Sequence, residues 1–372
     1  MVEKLFVQGN EAIGWGALMA GCEAFFGYPI TPQNEVIEWF SREYPRRGLV
    51  FLQSQSETAS VNMLYGAAST GIRALTSTSS PGWALMQETM SHAVNAELPF
   101  VVVVVQRGGI GQGTTQHAQM DYTTATRGGG QGGYRVPVVA PASVQETHDF
   151  VQLAFYLADK YRTPAIVLTD GLLGQMMEGL EVKCLDFGPL PEKDWALRGR
   201  AYHPDGKRRA HICESGLVPL ELHVLRTYLD YIAHWEAKFR EMERNEVRYE
   251  SYLLEDAELV LVAYGYVARV CLDAMDEARS AGLKVGLVRP ITVWPFPKQV
   301  IREQAERGAR FLVAEDSLGQ MVEDVRLAVE GRSEVYLLSM LSRHVKSPSG
   351  MILSDSVLNE IHRLLEKVGG RR

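Results

Sequence analysis

Three side chains stand where the chain turns abruptly from apolar to polar: Thr31, Glu57 and Arg107. Thr31 sits between two prolines in Gly27-Tyr-Pro-Ile-Thr-Pro32. Such a stretch is either a stiff turn that starts a helix or a rigid loop that presents a hydroxyl to a ligand. Glu57 opens a helical pattern just after Gln55 and Ser56. One reading is a carboxylate favoured by the positive end of the helix. The other is a buried carboxylate facing a heterocycle, where it shares a proton with a ring nitrogen and changes the tautomer of the ring. Arg107 ends an apolar run of five valines and Gln106, and meets Gly108 and Gly109. A guanidinium there forms a structural salt bridge, or it pairs bidentately with a substrate carboxylate.

The elements that must position these residues follow from pattern. Glu11 to Glu23 reads as a helix and Ala24 to Tyr28 as a strand. Glu57 to Ser69 reads as a helix, Arg73 to Ser77 as a strand and Trp83 to Asn95 as a helix. Phe100 to Val105 and Tyr134 to Ala140 read as strands, then Val144 to Lys160 as a helix and Ala165 to Thr169 as a strand. Apolar strands alternating with helices imply a parallel sheet covered on both faces. Ligands in such sheets bind beyond the carboxyl ends of the strands. Four segments fall there: 27–32, 55–57, Ser77-Thr-Ser-Ser-Pro-Gly82 and 106–109.

Residues 174–217 lose the alternation and read as a linker, with a basic stretch at 198–209 that is a solvated turn or a binding patch. Residues 219–249 read as one long helix, with Leu222, Leu225, Leu229, Ile232, Phe239 and Met242 mostly three or four apart. Alternation then resumes from Glu258 to a last helix over Ser356 to Val368. The expected division is 1–175, a connecting 176–250, and 251–372.

Several chemistries are excluded. Gly128, Gly130 and Gly133 match G-x-G-x-x-G, but no strand precedes them and a strand follows, the reverse of a dinucleotide site. Gly108-Gly-Ile-Gly-Gln-Gly113 follows a strand but has the wrong spacing, and loops closing over a site suit both tracts better. No phosphate-binding G-x-x-x-x-G-K-[ST] occurs. Cys22, Cys184, Cys213 and Cys271 are too scattered for a sequence-local metal site or cluster. A net charge of −7 disfavours nucleic acid as a partner. No run is long enough to span a membrane and no signal peptide is evident, so a cytoplasmic location is expected.

The sequence resembles the alpha-type subunit of 2-oxoacid:ferredoxin oxidoreductases, especially the branched-chain (3-methyl-2-oxobutanoate) and 2-oxoglutarate types. The resemblance spans nearly the whole chain. It is carried by Gly27-Tyr-Pro-Ile-Thr-Pro-Gln33, Ser56-Glu57 before Asn62-Met-Leu-Tyr-Gly-Ala67, Thr76-Ser-Thr-Ser-Ser-Pro-Gly82 and Arg107-Gly-Gly109. Ala140-Pro-Ala-Ser-Val-Gln-Glu146, Val288-Arg-Pro-Ile-Thr-Val-Trp-Pro-Phe296 and Gly319-Gln-Met-Val-Glu-Asp-Val-Arg326 complete it. The resemblance implies an α/β fold: a pyrimidine-type thiamine-diphosphate-binding domain with a parallel sheet, then a transketolase C-terminal-like domain. It implies that Glu57 contacts the aminopyrimidine N1′, that Thr31 lies near thiazolium and substrate, and that Arg107 contacts substrate. Tyr28, Pro29, Ile30, Thr31, Glu57 and Ser80 are the implied cofactor-binding residues.

The implied reaction is the coenzyme A-dependent oxidative decarboxylation of a 2-oxoacid, with reduction of ferredoxin. Glu57 would promote the imino tautomer that deprotonates the thiazolium, and the resulting carbanion would attack the oxo carbon. Thiamine enzymes of this kind bind Mg²⁺ and diphosphate through Gly-Asp-Gly and a later Asn. Here Asp170-Gly171 follows Thr169, and no Asn occurs between Asn95 and Asn245. The resemblance therefore places Mg²⁺, the diphosphate half and 4Fe-4S clusters on partners: a thiamine-diphosphate-binding beta-type subunit and a ferredoxin-like gamma or delta subunit. The substrate expectation leans to 3-methyl-2-oxobutanoate, with 2-oxoglutarate the alternative. A non-oxidative thiamine enzyme half and a non-catalytic subunit are the remaining readings.

Overall fold

The computed structural model describes residues 3–197 and 228–369. The basic stretch at 198–209, Cys213 and the start of the expected long helix, with Leu222 and Leu225, lie outside the described residues. The first part runs β1 (Glu3–Gln8), α1 (Gly9–Met19), β2 (Ala24–Gly27), α2 (Asn34–Arg46), β3 (Val50–Gln53), α3 (Glu57–Ser69), β4 (Ala74–Ser79) and α4 (Ser80–Asn95). It continues β5 (Val101–Gln106), α5 (Tyr122–Arg127), β6 (Val138–Val139), α6 (Val144–Tyr161), β7 (Ala165–Asp170), α7 (Gly171–Gln175) and β8 (Met177–Val182). The second part runs α8 (Tyr228–Asn245), β9 (Tyr249–Tyr252), β10 (Leu259–Val262), α9 (Gly265–Ser280), β11 (Val285–Pro290) and β12 (Thr292–Trp294). It ends α10 (Lys298–Glu306), β13 (Arg310–Ala314), α11 (Met321–Val329), β14 (Val335–Leu338) and α12 (Ser354–Gly369).

β5 is the strand that the valine run predicts. β-branched side chains fit a pleated surface buried on both faces, and every residue of β4, β5 and β7 is buried. The large sheet has the order β12-β6-β7-β5-β4-β2-β3, parallel except for β12. The second sheet has the order β14-β13-β10-β11-β9, parallel except for β9. The two cores meet. β12 leaves the second unit and pairs antiparallel with β6 of the first.

Three expectations need correction. The strand expected over 134–140 shrinks to Val138–Val139. Pro137, just before it, has no N–H for a ladder, and only its carbonyl is used, accepting from Ile166. The expected connector 176–250 is not merely a linker, because β8 pairs antiparallel with β1 over its whole length. Finally, α2 is not among the anticipated elements, although its buried Val36, Ile37, Trp39, Phe40 and Tyr44 carry a helical spacing.

α8 is fastened to the first unit by charge. Glu97 accepts from Lys238 Nζ at 2.7 Å and lies 3.0 Å from His234 Nε2, with Arg162 3.6 Å away. Burial would raise the Glu97 pKa, but these three partners outweigh it and hold the carboxyl well below its ordinary 4.5. A depressed folded pKa adds stability above 4.5 that is lost as pH falls toward the folded value. Glu97→Gln takes the counter-charge from the half-buried Lys238, leaving it only the Arg162 carbonyl, and should cost about 3 kcal/mol near neutral pH. Melting temperatures of both forms should stay apart from neutrality down to pH 4.5 and converge only below it, as pH falls toward the folded value.

Candidate active site

The carboxyl ends of β5, β4, β2 and β3 lie side by side, in that order. Each delivers one segment singled out above. The loop after β2 carries Tyr28, Pro29, Ile30 and Thr31, and its Thr31–Pro32 peptide is cis. It is braced from three sides. Ser77 Oγ donates to Gln33 Oε1, Gln33 Nε2 donates to the Tyr28 carbonyl, and the Pro32 carbonyl accepts from Asn10 and Gln175. Pro29 and Thr31 are exposed, while Tyr28 and Ile30 are half-buried.

Glu57 is the first residue of α3 and only 6% exposed. Its place in the first turn of α3 is the one that the positive end of the helix favours, but it is not the residue that caps the helix. Ser56 is the N-cap, and its Oγ accepts from the Ala59 amide at 3.2 Å. The Glu57 carboxylate has no hydrogen bond or ion pair among the described residues. It lies instead against Gly82 of α4: a Cβ at Gly82 would stand 2.5 Å from Glu57 Oε1 and 2.2 Å from Thr78 Oγ1. A buried carboxylate without a partner is costly to keep. Here it takes up the room that a side chain at position 82 would fill, so only a glycine there lets it sit as it does, and a carboxylate so placed can share a proton with the ring nitrogen of a heterocycle.

Arg107 is 7% exposed and lies directly after β5. Its Nη1 donates to the Thr31 carbonyl at 2.8 Å and its Nη2 to the Gln112 carbonyl at 2.9 Å. Nε is buried with no partner among the described residues. The guanidinium forms no salt bridge among the described residues, so the structural ion-pair reading is not what the fold uses. The backbone is held by Ser80, whose Oγ accepts from the Arg107 amide at 3.0 Å and donates to Asp121 Oδ2. The fold thus joins Thr31, Ser80 and Arg107 directly. Glu57 sits beside them on α3 and forms no hydrogen bond to any of the three.

Sequence reasoning missed Asp121. Its Oδ2 accepts from Ser80 and its amide donates to Gln106 Oε1 at 3.1 Å. Burial pushes its carboxyl up to about 6, against the opposing pull of Ser80 and Arg107. No local signal marks it, because Ser80 lies 41 residues away. Asp170, the one candidate for a metal motif, instead caps α7, its Oδ1 accepting from Leu172 and Leu173 at 3.0 Å. Among the described residues no group of three His, Cys, Asp or Glu is disposed to hold a metal ion. No helix among them is long and apolar enough to cross a membrane. Cys22 and Cys271 are buried free thiols and Cys184 is an exposed one.

Comparison with known proteins gives a consistent result. The family profile described as pyruvate flavodoxin/ferredoxin oxidoreductase, thiamine diphosphate-binding, matches residues 15–250. The profile for pyruvate:ferredoxin oxidoreductase core domain II matches residues 257–346. Ketoisovalerate oxidoreductase subunit VorB of Methanothermobacter thermautotrophicus is 45% identical over 335 residues, covering 90% of this chain and 92% of its own. The 2-oxoglutarate synthase subunit KorA of Methanocaldococcus jannaschii is 33% identical, covering 92% and 96%. Among solved structures, 2-oxoglutarate:ferredoxin oxidoreductase from Magnetococcus marinus, with 2-oxoglutarate, coenzyme A and succinyl-CoA bound, superposes with a TM-score of 0.81 at 25% identity. That match covers 97% of this chain and 65% of the other. A split-gene transketolase matches with a TM-score of 0.57 at 12% identity, a likeness of fold.

Proposed function

The chain belongs to the pyruvate flavodoxin/ferredoxin oxidoreductase family, as a subunit of a 2-oxoacid:ferredoxin oxidoreductase, and on that premise we propose that it supplies the pyrimidine-binding half of a thiamine diphosphate site acting on a branched-chain 2-oxoacid. The observation that carries this reading is Glu57: a buried side chain with no partner among the described residues, its carboxylate packed against Gly82 at the strand ends. When bound, thiamine diphosphate supplies the electron sink that lets a 2-oxoacid lose CO₂. Glu57 shares a proton with a nitrogen of the aminopyrimidine. Tyr28, Pro29, Ile30, Thr31 and Ser80 line the same strand ends, the loop of the first four braced by Gln33. Residues 1–175 form the pyrimidine-binding domain and 251–372 the transketolase C-terminal-like domain, with 176–250 between them. Mg²⁺, the diphosphate contacts and the 4Fe-4S clusters come from partner subunits: a beta-type subunit, and a ferredoxin-like gamma or delta subunit. Coenzyme A accepts the acyl group and ferredoxin the electrons, in the cytoplasm.

Arg107 orients the oxoacid carboxylate. A guanidinium has five N–H donors. The two strong bonds to backbone carbonyls leave the buried Nε–H and further Nη protons for a carboxylate. The preference for a branched aliphatic chain such as 3-methyl-2-oxobutanoate rests on two supports. The ketoisovalerate relative is more similar than the 2-oxoglutarate one. Arg107 is also the one cation in the strand-end segments 27–33, 54–57, 77–82 and 106–113, so a second substrate carboxylate would have no partner among them. A panel of 2-oxoacids, assayed on the assembled complex by viologen reduction, tests this. A preference for 2-oxoglutarate would overturn the substrate assignment. Arg107→Gln should raise the KM for the oxoacid about 30-fold or more, because the substrate loses a charge-assisted contact.

A further inference from the structure

We propose that His117 is a positioning residue that acts through Arg107, an inference that rests on the reading of Arg107 given above. Arg107 and His117 face each other in an isolated antiparallel bridge, and the loop 108–116 springs from it. The loop closes on itself by two short bonds: the Gly108 amide to the Gln116 carbonyl and the Thr114 amide to the Gly108 carbonyl, both 2.7 Å. Its tip is tight enough that a Cβ on Gly109 would stand 2.2 Å from the Gly113 Cα. Residues 109–116 are exposed, Ile110 to 91%, so little burial holds the loop in place. Yet it is this loop that supplies the Gln112 carbonyl on which Arg107 Nη2 rests.

What anchors the loop is its buried base. His117 Nδ1 lies 2.6 Å from Asp316 Oδ2, which belongs to the second unit, just after β13. Asp316 is itself fixed from several directions. The same oxygen accepts from Tyr266 Oη at 2.8 Å. Its amide donates to Gln119 Oε1 at 3.1 Å, and its carbonyl accepts from the Gln119 amide at 2.7 Å. The Tyr266 ring meets the His117 ring edge-on, with centroids 5.7 Å apart. The surroundings of His117 also favour its protonated form: the bond to Asp316 raises its pKa, burial opposes this, and the charges of Asp316 and Asp170 add to the rise. His117 therefore ties the base of an otherwise exposed loop to a rigid point on the other sheet. Glu57, on α3, is placed independently of this tie.

The prediction is a split between substrate affinity and turnover. In the assembled complex, His117→Ala should raise the oxoacid KM about 10-fold and leave kcat within about 3-fold, the pattern of lost substrate orientation. His117→Asn puts an amide nitrogen where Nδ1 stands, and should restore KM to within about 3-fold of the parent. Asp316→Asn keeps the backbone bonds to Gln119 and removes only the charge, so it stands in if His117→Ala does not assemble. It should raise KM about 5-fold with kcat retained. Arg107→Gln and the His117→Ala/Arg107→Gln double variant complete the set. The double variant should add little to Arg107→Gln alone, because both act through one group. If Arg107→Gln raises KM and His117→Ala does not, the positioning role falls and the reading of Arg107 stands. If Arg107→Gln leaves KM unchanged, the reading of Arg107 fails and takes this inference with it. Equal loss of kcat in the Ala and Asn variants, or fully additive effects, would also overturn it.

Discussion

Replacing Glu57 with Gln should abolish nearly all oxoacid-dependent reduction of ferredoxin or viologen while leaving the complex assembled. A positioned carboxylate that moves a proton contributes about 10²- to 10⁴-fold, and an amide of the same shape cannot take its place. The structure separates this effect from a loss of stability. Glu57 does not cap α3, because Ser56 does. It holds no cation and accepts no hydrogen bond within the described chain. Losing the charge forfeits about 1 kcal/mol at most of interaction with the positive end of α3 and relieves the burial of a charge, so the melting temperature of Glu57→Gln should stay close to that of the parent. Retained turnover would refute the assigned role. Lost turnover together with lost assembly would make Glu57 an interface residue instead.

Gly82→Ala is the second substitution with a large expected effect, and it reaches the same carboxylate by shape. Gly82 lies in the first turn of α4, where alanine is ordinarily the better helix former by about 1 kcal/mol. The added methyl would stand 2.2 Å from Thr78 Oγ1 and 2.5 Å from both Cγ and Oε1 of Glu57. Such distances force Glu57 off its position. Overpacking of this kind costs about 1–3 kcal/mol, which the gain in helix propensity only partly offsets. Turnover should fall about 100-fold, since a small misplacement of a reacting group has that scale of effect. Gly66→Ala in α3 is the matching control. A Cβ there meets nothing within 4 Å, so it should raise stability by about 0.5–1 kcal/mol and leave turnover unchanged. The viologen assay and a thermal melt on the three proteins decide the matter. Full activity in Gly82→Ala would mean that the position of the Glu57 carboxylate against Gly82 does not matter to the site.

Much of this site is legible in the linear sequence, for a physical reason. A run of valines, a helix start after Ser56 and a loop held between prolines are local features, set by neighbours within a few residues. They place Thr31, Glu57 and Arg107 at the ends of elements, and the α3 helix begins and ends where the pattern puts it. Motif resemblance led to the same family that the comparisons established. Local pattern misleads where a neighbour overrides it. The 134–140 run is apolar enough for a longer strand, but Pro137 cannot donate, and the strand is only two residues long.

What the linear sequence by itself determined, then, is that this protein is an α/β subunit with a carboxylate, a hydroxyl and a guanidinium each at the end of an element. Which of these groups meet was decided only by the tertiary structure. The sheet order sets β5, β4, β2 and β3 side by side, and only that order brings the Arg107 guanidinium to the Thr31 carbonyl across 76 residues of chain. Asp121 behind Ser80, and Asp316 beside His117 across 199 residues, have no local signature either. Local pattern cannot encode them, because each bond exists only after crossover connections have ordered the strands and the two cores have packed together. The decisive feature of Glu57 belongs to the same class: its lack of a partner among the described residues, and its close packing against Gly82, emerge only when α3 and α4 come together.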